Sequence, residues 1–234
     1  MRMAEAGEGV AEVWARCFPL EVSDADLARF AVQLSAEERA RAERFYFERD
    51  RRSFIAARGG LRTILGGVLQ TPPAELEFAY GERGKPRLSG PRGERFFFNL
   101  GHSGEWALLA WTRAGEIGAD IEKMRPVTEG LAERYFAPEE AAALRALPAG
   151  EQEAGFFRCW TRKEAYLKAL GSGLALPLDS FVVSLAAGEP AALLAVRGVP
   201  DEAAKWRLEH LEPAPGYCAA IALRRREWRL HWNY

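Results

Sequence analysis

The chain has 234 residues, of which 48% are hydrophobic and 28% charged, so it is long enough and apolar enough to bury one large core or two smaller ones. Its 32 basic and 33 acidic residues give a formal net charge of −1. This balance removes any global electrostatic case for nucleic-acid or anionic-membrane binding, and we expect neither among its partners.

Cysteine usage and the amino terminus predict a cytoplasmic protein. The three cysteines, Cys17, Cys159 and Cys218, are odd in number and lack CxxC or CxxH spacing, which argues against a disulfide framework and a zinc site. Glu5 and Glu8 interrupt the apolar run that a signal peptide needs, and no segment approaches the ~18 apolar residues of a membrane span.

The first strong helical pattern covers residues 51–66, RRSFIAARGGLRTILG, and ends in Leu-Gly. Ser35 followed by Glu38 predicts a capped helix start ahead of it. Basic residues on the long helix are candidate anion contacts, although most such residues are merely solvated. They are Arg51, Arg52, Arg58 and Arg62.

Two strand-turn segments come next. Residues 76–88, LEFAYGERGKPRL, alternate around a Gly-Lys-Pro turn that carries Lys85 and Arg87. Residues 96–111, FFFNLGHSGEWALLAW, predict two strands joined by a glycine-containing turn. Backbone N–H groups of this turn, with His102 and nearby Ser103, predict an anion-binding nest, whereas a lone turn histidine is more often structural.

The segment EIGADIEKMRP, residues 116–126, alternates apolar and polar positions, so a strand here directs Asp120 and Glu122 to one side. Two adjacent carboxylates repel each other unless a hard divalent cation such as Mg²⁺ lies between them. Taken alone, the pair is also typical of a solvated strand face.

Residues 156–171, FFRCWTRKEAYLKALG, predict an amphipathic helix in which Glu164 and Lys168 fall on the apolar side with Trp160, while Arg162 falls on the expected solvent side. A buried carboxylate needs compensation, which a metal shared with the strand carboxylates would supply. Lys168 could then hold a phosphate oxygen. The alternative is an i, i+4 Glu-Lys pair on the helix surface.

An internal repeat organises these elements. Residues 51–66 align with 156–171 at an offset of 171 − 66 = 105, which pairs Arg58 with Lys163 and Gly59 with Glu164. The flanking segments match in the same order: Ser35–Glu38 with Ala137–Glu140, Gly84–Pro86 with Gly188–Pro190, and 104–111 with 216–223.

The repeat predicts an α+β fold made of a pseudo-twofold pair of similar halves, each a long helix packed on a short antiparallel sheet. We expect a basic half at residues 1–114, a metal-binding half at 115–234, and an active site at their interface. Signatures of P-loop, dinucleotide-binding, esterase and zinc-protease proteins are absent from the sequence.

These residues favour a Mg²⁺-dependent enzyme acting on a diphosphate or phosphate ester. Two alternatives stay open. One is a different diphosphate-cleaving activity that needs no protein acceptor. The other is a non-catalytic adaptor that binds a partner through residues 48–62, ERDRRSFIAARGGLR.

Four motifs in order, GKP (84–86), FNLGHSG (98–104), IGADIE (117–122) and WTRKEAYLK (160–168), resemble the signature set of the Sfp-type 4′-phosphopantetheinyl transferases. The resemblance implies a monomeric, pseudo-twofold enzyme. It implies Mg²⁺-dependent transfer of the 4′-phosphopantetheine arm of coenzyme A to a serine of an apo acyl or peptidyl carrier protein, with release of adenosine 3′,5′-bisphosphate.

The resemblance also implies residue roles. The implied Mg²⁺ ligands are Asp120, Glu122 and Glu164, and Lys168 is the implied diphosphate ligand. Either Glu164 or Glu140 would accept the serine proton, directly or through water. Gly101 stands where many relatives have Ser, which predicts one hydroxyl fewer in the phosphate pocket. The expected coenzyme A contacts are Arg58, Lys85, Arg87, Asn99, Gly101, His102, Ser103 and Lys168.

Overall fold

The computed structural model describes residues 10–81, 84–171 and 176–233, so Glu5 and Glu8 lie outside the described residues. The helices are α1 (Asp24–Gln33), α2 (Ala36–Glu43), α3 (Glu48–Leu69), α4 (Leu131–Tyr135), α5 (Pro138–Ala146) and α6 (Ala149–Leu170). The strands are β1 (Ala11–Pro19), β2 (Phe78–Tyr80), β3 (Pro86–Leu88), β4 (Phe97–Ser103), β5 (Trp106–Thr112), β6 (Ile117–Lys123), β7 (Phe181–Val183), β8 (Leu193–Val196), β9 (Arg207–Leu211), β10 (Tyr217–Leu223) and β11 (Trp228–Asn233). Across these ranges, none of the helices has the length and apolar character that a bilayer span requires.

The predicted α+β fold is confirmed. One sheet has the order β11-β1-β5-β4 and the other β6-β10-β9, with two small hairpins, β2-β3 and β7-β8, beside them. The antiparallel arrangement β1-β5-β4 recurs as β6-β10-β9. In each half, the first strand therefore pairs with the second strand of a later hairpin, β4-β5 or β9-β10. The last strand, β11, crosses back and pairs parallel to β1.

The two sheets pack face to face between the two long helices. On β5, Leu108 faces the other sheet, whereas its neighbour Leu109 packs toward α3. On β10, Ile221 faces the first sheet and Ala220 packs toward α6. The period of two along a strand therefore gives each central strand two buried faces, which explains why β5 and β10 are apolar throughout.

A buried ion pair recurs in both halves. Ser35 and Glu38 form the predicted capping box at the start of α2, and Glu38 also accepts a 2.7 Å bond from Arg62 of α3. In the second half Glu140, near the start of α5, lies 2.7 Å from Lys163 of α6. Each cation also donates to two backbone carbonyls in the loop after its helix. These are Pro73 and Leu76 for Arg62, and Leu178 and Phe181 for Lys163.

This ion pair corrects the register of the repeat. Helices α3 and α6 both have 22 residues, and the offset between their first residues is 149 − 48 = 101, the same as between Arg62 and Lys163. The predicted offset of 105 along the long helices is wrong because α3 continues past Gly66 to Leu69. Glu164 therefore corresponds to Thr63, and its predicted pairing with Gly59 is not observed.

The turn match of the repeat holds. Gly84 and Gly188 both have left-handed backbones, with φ of 76° and 73°. A positive φ is readily adopted by glycine because it lacks Cβ, so the sequence marked both turns correctly.

The predicted solvent face of α6 is wrong. Arg162 is only 1% exposed and donates to the Ser184 carbonyl oxygen at 2.6 Å, while Ala165 and Ala169 are buried as well. Helix α6 lies between the second sheet and the β7-β8 hairpin, so both of its sides are covered. Helical periodicity identified the helix but could not tell that a second layer would cover its charged side.

Candidate active site

The site begins where β6 lies directly against α6. A Cβ at Gly118 would stand 1.9 Å from the Ala165 carbonyl oxygen, so only glycine permits this approach. The alternation of β6 directs Ile117, Ala119 and Ile121 into the core between the sheets. Asp120 and Glu122 therefore share the opposite side, as the sequence predicted.

Asp120 is the most buried acid of the site, with 5% of its surface exposed. Its Oδ1 lies 2.6 Å from Lys168 Nζ, which is also 3.3 Å from the Ala119 carbonyl oxygen. Its Oδ2 is buried without a hydrogen-bond partner. Burial raises the pKa of Asp120 in spite of the nearby ammonium group. An unpartnered, buried carboxylate oxygen is a position at which a cation would be stabilised.

Glu122 and Glu164 are also partly buried and lie within electrostatic range of Asp120. Burial raises the pKa of Glu122 and the pKa of Glu164, and the charge of Asp120 raises both further. Burial opposes the charged form of Lys168, but Asp120, Glu164 and Glu122 outweigh it and the pKa of Lys168 is raised. The four side chains thus form one interacting group with three carboxylates and one ammonium.

The chemistry of this group fits a hard divalent cation, because carboxylate oxygens are the ligands that Mg²⁺ prefers. The side chains are engaged otherwise in this conformation: Ser103 Oγ donates to Glu122 at 2.8 Å, and Lys168 holds Asp120. Among the residues that the structure describes, no three His, Cys, Asp or Glu side chains converge at metal-binding distance. A cation would therefore require side-chain rearrangement at this group.

Strand β4 holds β6 in place through alternate residues. Asn99 Oδ1 accepts the Ala119 N–H at 2.9 Å, and Ser103 Oγ accepts the Lys123 N–H at 3.1 Å. Between them, a Cβ at Gly101 would lie 3.1 Å from the Ala119 carbonyl oxygen. A side chain at position 101 would therefore point at β6. The hydroxyl that the sequence led us to regard as lost from a phosphate pocket would face a strand instead.

His102 points to the other side of β4, away from β6. It lies on a cleft of about 1250 Å³ formed by the end of β1, α2, the start of α3 and the β4-β5 turn. The surrounding protein lowers the pKa of His102 by desolvation, and the charges of Lys168 and Arg58 lower it further. His102 thus lines the open cleft and lies within electrostatic range of Lys168 and Arg58.

Sequence reasoning missed two residues of this cleft, Arg41 and Arg49, which line it together with the candidate Arg52. They are exposed arginines on a polar helix and a helix start, and no pattern distinguishes them from solvated charges. Arg52 is paired with Asp24 at 2.7 Å and with the Val22 carbonyl oxygen at 3.1 Å. The α2-α3 side of the cleft therefore carries three arginines, and the lining also contains the carboxylates of Glu21, Asp50 and Glu105.

The other basic candidates on α3 are used inside the fold or at its surface. Arg51 pairs with Glu48 at the surface, and Arg62 belongs to the buried ion pair. Arg58 is 8% exposed, lies over the rings of Phe54 and Tyr80, and has one terminal nitrogen without a hydrogen-bond partner. Helix α3 thus does not present its basic side chains as one free surface, which disfavours the adaptor alternative.

Lys85 and Arg87 have different environments. Arg87 is exposed on β3. The Lys85 ammonium group instead turns toward the second half of the chain, where it contacts the Glu116 carboxylate at 2.7 Å and the backbone of α6. The expected phosphate contact of Lys85 is therefore occupied by protein groups in this conformation.

Glu140 is not brought to this group. It is 1% exposed, accepts the Ala137 and Val183 N–H groups at 2.9 and 2.7 Å, and lies 2.7 Å from Lys163. These contacts use the carboxylate to join α5, α6 and β7. Of the two residues considered as the base, only Glu164 interacts electrostatically with Asp120 and Glu122.

Comparisons with known proteins agree with this geometry. Residues 116–222 match the family model for the 4′-phosphopantetheinyl transferase superfamily, and residues 21–114 match the model for the 4′-phosphopantetheinyl transferase N-terminal region. The chain is 42% identical over 224 residues to the 4′-phosphopantetheinyl transferase HetI of Nostoc sp., covering 92% of this chain and 90% of the relative. It is 32% identical over 200 residues to the 4′-phosphopantetheinyl transferase Sfp of Bacillus subtilis, covering 86% of each chain.

The family models and the relatives that this α+β chain matches are transferases of a phosphate-containing group. Full-length similarity at this level identifies the particular family. The chain belongs to the 4′-phosphopantetheinyl transferases.

Proposed function

We propose that this protein transfers the 4′-phosphopantetheine moiety of coenzyme A to a serine hydroxyl of an apo acyl or peptidyl carrier protein. Adenosine 3′,5′-bisphosphate is the second product. The observation that carries the proposal is the group formed by Asp120, Glu122, Glu164 and Lys168, in a chain that belongs to this family. We place the reaction at the junction of the halves 1–114 and 115–234.

The carboxylates fit a Mg²⁺ ion. Asp120, Glu122 and Glu164 would hold it, since they are oxygen donors whose mutual repulsion is offset only by the single ammonium group of Lys168, and Asp120 Oδ2 is buried without a partner. When bound, the ion would neutralise charge on the diphosphate of coenzyme A. Thermal stabilisation of the protein by Mg²⁺, lost in Asp120→Asn, tests this assignment without any activity measurement.

The chain's own residues account for the proton and the leaving group. The serine oxygen forms a bond to the phosphorus that carries the pantetheine arm, and the bond from that phosphorus to the bridging oxygen of the adenylate phosphate breaks. Glu164 accepts the serine proton, because the other candidate, Glu140, is buried in its ion pair with Lys163. Lys168 Nζ places positive charge next to the departing phosphate oxygen.

The coenzyme A phosphates lie, in this proposal, along the cleft that His102 lines. Arg41 and Arg49 face the same cleft, and their guanidinium groups are its candidate phosphate contacts. Exposed guanidinium groups attract the phosphates of a polyanionic substrate. Within β4, we assign Asn99, Gly101 and Ser103 to holding β6 rather than to contacting the nucleotide.

Mass spectrometry tests the activity directly. The protein is incubated with coenzyme A, Mg²⁺ and a panel of apo carrier proteins, and the phosphopantetheine increment is sought on the acceptor serine. An increment that disappears when serine is changed to alanine supports the proposal. Cleavage of coenzyme A without any acceptor would overturn it in favour of a diphosphate-cleaving enzyme.

We also propose that the protein is a cytoplasmic monomer. Ser103 of the first half already bonds Glu122 of the second half within one chain, which supports a site that needs no second copy. Light scattering coupled to size exclusion measures the mass in solution, and a dimer at micromolar concentration would overturn this part of the proposal.

A further inference from the structure

The turn between β4 and β5 belongs to the first half but is fastened to the second half through one carboxylate. Glu105 accepts two hydrogen bonds from Lys123 Nζ, at 2.7 and 2.9 Å, and a third from the hydroxyl of Tyr217. The same hydroxyl accepts the Glu105 backbone N–H at 3.0 Å. Lys123 is the last residue of β6 and Tyr217 is the first of β10, so Glu105 joins the turn to both strands.

The rest of the turn also fits closely against the second half. Gly104 has a φ of 54°, and a Cβ at this position would collide with the Tyr217 hydroxyl. Ser103 Oγ donates to Glu122 at 2.8 Å and accepts the Lys123 N–H at 3.1 Å. Three consecutive residues, 103–105, therefore lie against the second half beside an acid of the candidate site.

The Glu105 contact is electrostatic at its surface and buried at its base. The hydrogen bonds from Lys123 and Tyr217 lower the pKa of Glu105 to about 2, and Glu105 in turn raises the pKa of Lys123. The Glu105 side chain is 39% accessible, whereas Tyr217 is only 4% exposed. An accessible ion pair contributes little to stability by itself, so the main consequence of this contact is the position that it gives the turn.

This position matters because the turn carries residues of both the cleft and the acid group. His102 lines the cleft, and Ser103 bonds Glu122. The Glu105 carbonyl oxygen also accepts the Leu20 N–H at 2.7 Å, and Leu20 lines the cleft as well. A displaced turn would therefore move one wall of the cleft and release Glu122 at the same time.

We propose that Glu105 is a positioning residue for the transfer reaction and acts through Tyr217 and Lys123. It holds the β4-β5 turn on the second half, so that His102 in the cleft and Glu122 in the acid group keep a fixed separation. This inference rests on the proposed function and deepens it, because it couples the cleft assigned to the coenzyme A phosphates with the carboxylates that would hold the metal.

The coupling predicts matched defects in the binding of two ligands. Glu105→Ala should weaken binding of adenosine 3′,5′-bisphosphate about three- to tenfold, as expected for the loss of about one net hydrogen bond. It should raise the Mg²⁺ concentration needed for half-maximal thermal stabilisation by a similar factor. Titration calorimetry measures the first effect and thermal unfolding the second.

Two further variants test whether Glu105 acts through its contacts. Tyr217→Phe should produce the same two defects, and the double variant should be no worse than Glu105→Ala alone, because both changes break one contact. Glu105→Gln should restore part of the binding, since an amide oxygen can still accept a hydrogen bond.

A direct role of Glu105 in the cleft predicts a change of opposite sign. Glu105 also lines the cleft, and a carboxylate that met a phosphate would repel it, so Glu105→Ala would then bind the bisphosphate more tightly. Tighter or unchanged binding in Glu105→Ala overturns the inference. Unchanged binding in Tyr217→Phe overturns it too, because the hydroxyl would then not transmit the effect.

Glu202 offers a matched control. Its carboxylate accepts hydrogen bonds from Arg224, Trp206 Nε1 and Lys205, which lower the pKa of Glu202 to about 2, as for Glu105. All of these contacts lie within the second half. Glu202→Ala should therefore leave the bisphosphate affinity and the Mg²⁺ response unchanged. The same two defects in Glu202→Ala would show a general loss of stability and would contradict a specific role of Glu105.

Hydrogen-deuterium exchange reports on the turn without any ligand. Glu105→Ala and Tyr217→Phe should increase exchange at the amides of residues 102–106, and Glu202→Ala should not. Unchanged exchange in Glu105→Ala would refute the positioning role. If the wild-type protein modifies no carrier protein, the proposed function fails, and the exchange measurement still decides whether Glu105 holds the turn.

Discussion

The two halves of the protein share a scaffold and differ in chemistry. Both contain a three-stranded antiparallel sheet of the same order, a 22-residue helix and a buried ion pair between a short-helix glutamate and a long-helix cation. At the offset of 101, however, Thr63 corresponds to Glu164 and Gly67 to Lys168. The two helical residues of the candidate site thus occupy positions where α3 carries no charge.

The difference teaches which polar residues support the fold. Lys163 and Glu164 are neighbours on α6, and the helical pattern of the sequence does not show which of them is structural and which is functional. Lys163 has its counterpart in Arg62, which makes the same kind of contact to a capping glutamate, so its role is structural. Glu164 has no charged counterpart, and its nearest charges are those of the site. Comparison between halves therefore separates structural from functional charge within a single chain.

The largest effect is expected from breaking the ion pair of the second half. Lys163→Met leaves Glu140 buried at 1% exposure without its cation, which should cost about 3–5 kcal/mol of unfolding free energy. Arg62→Met should cost less, because Arg58 lies 3.9 Å from Glu38 and remains as a second cation. Urea denaturation measures both, and the double variant Lys163→Met/Glu140→Gln should recover part of the loss. Equal costs in the two halves would contradict this asymmetry.

The next effect is on activity. Glu164→Gln should reduce phosphopantetheine transfer about 100- to 1000-fold, as is typical when a preorganised charged group of an active site is removed. The fold should be retained, because the substitution removes a charge that Asp120 and Glu122 repel. Thr63→Ala, at the corresponding position of α3, should transfer at the wild-type rate. Unfolding of Glu164→Gln, as seen by circular dichroism, would show instead that this glutamate is structural.

Two glycine substitutions compare the close approach of α6 with an open position on α3. Gly118→Ala places a Cβ 1.9 Å from the Ala165 carbonyl oxygen, so β6 and α6 must separate, which should cost about 1–3 kcal/mol and lower kcat. Gly67→Ala meets no atom within 4 Å and should stabilise α3 by about 0.5–1 kcal/mol without changing kcat. Thermal unfolding with parallel kinetics checks both. A stabilising Gly118→Ala would be incompatible with the observed contact.

The smallest effect is on the pH dependence of stability. Burial raises the pKa of Asp120, Glu122 and Glu164 in the folded protein. The folded state therefore binds more protons than the unfolded state above the ordinary carboxyl range of about 4, and stability falls as pH rises through that window. As pH rises from about 4, the melting temperature of Glu164→Gln should fall less than that of the wild type.

Calorimetry above about pH 4.5 measures this pH dependence of stability without the opposing contribution of Glu105. Lys123 lowers the pKa of Glu105 to about 2, so the stability that Glu105 adds is lost only as pH falls from about 4.5 toward 2. Thr63→Ala should follow the wild-type curve. If Glu164→Gln did so too, the raised pKa of Glu164 would not contribute to stability.

Much of the site followed from the sequence. Period two placed Asp120 and Glu122 on one side of β6, and helical spacing placed Glu164 and Lys168 together on α6. The Gly-Lys-Pro and Gly-Glu-Pro turns marked equivalent points of the two halves, since both glycines have positive φ. Local geometry fixes these relations, and local geometry is what a sequence pattern encodes.

The remaining relations depend on which surfaces meet. The wrong offset along the long helices came from treating Gly66 as a helix end, whereas packing carries α3 on to Leu69. Arg162 was expected in solvent because helical periodicity does not show how many sides of a helix are covered by other elements. Glu140 entered as a candidate base by position alone, and only the fold shows its carboxylate bonded to Lys163 and to two backbone N–H groups.

The sequence by itself determined the class of fold, the order of the repeated elements and the identity of the three acids and the lysine that interact electrostatically. The tertiary structure alone decided which residues surround them. His102 lines the cleft, Asn99 and Ser103 accept hydrogen bonds from β6, and Lys85 donates to the last turn of α6. The physical reason is the range of the interactions. Backbone periodicity acts within a few residues, whereas the contact between Lys85 and Lys168 joins positions 83 residues apart and exists only once both halves have folded.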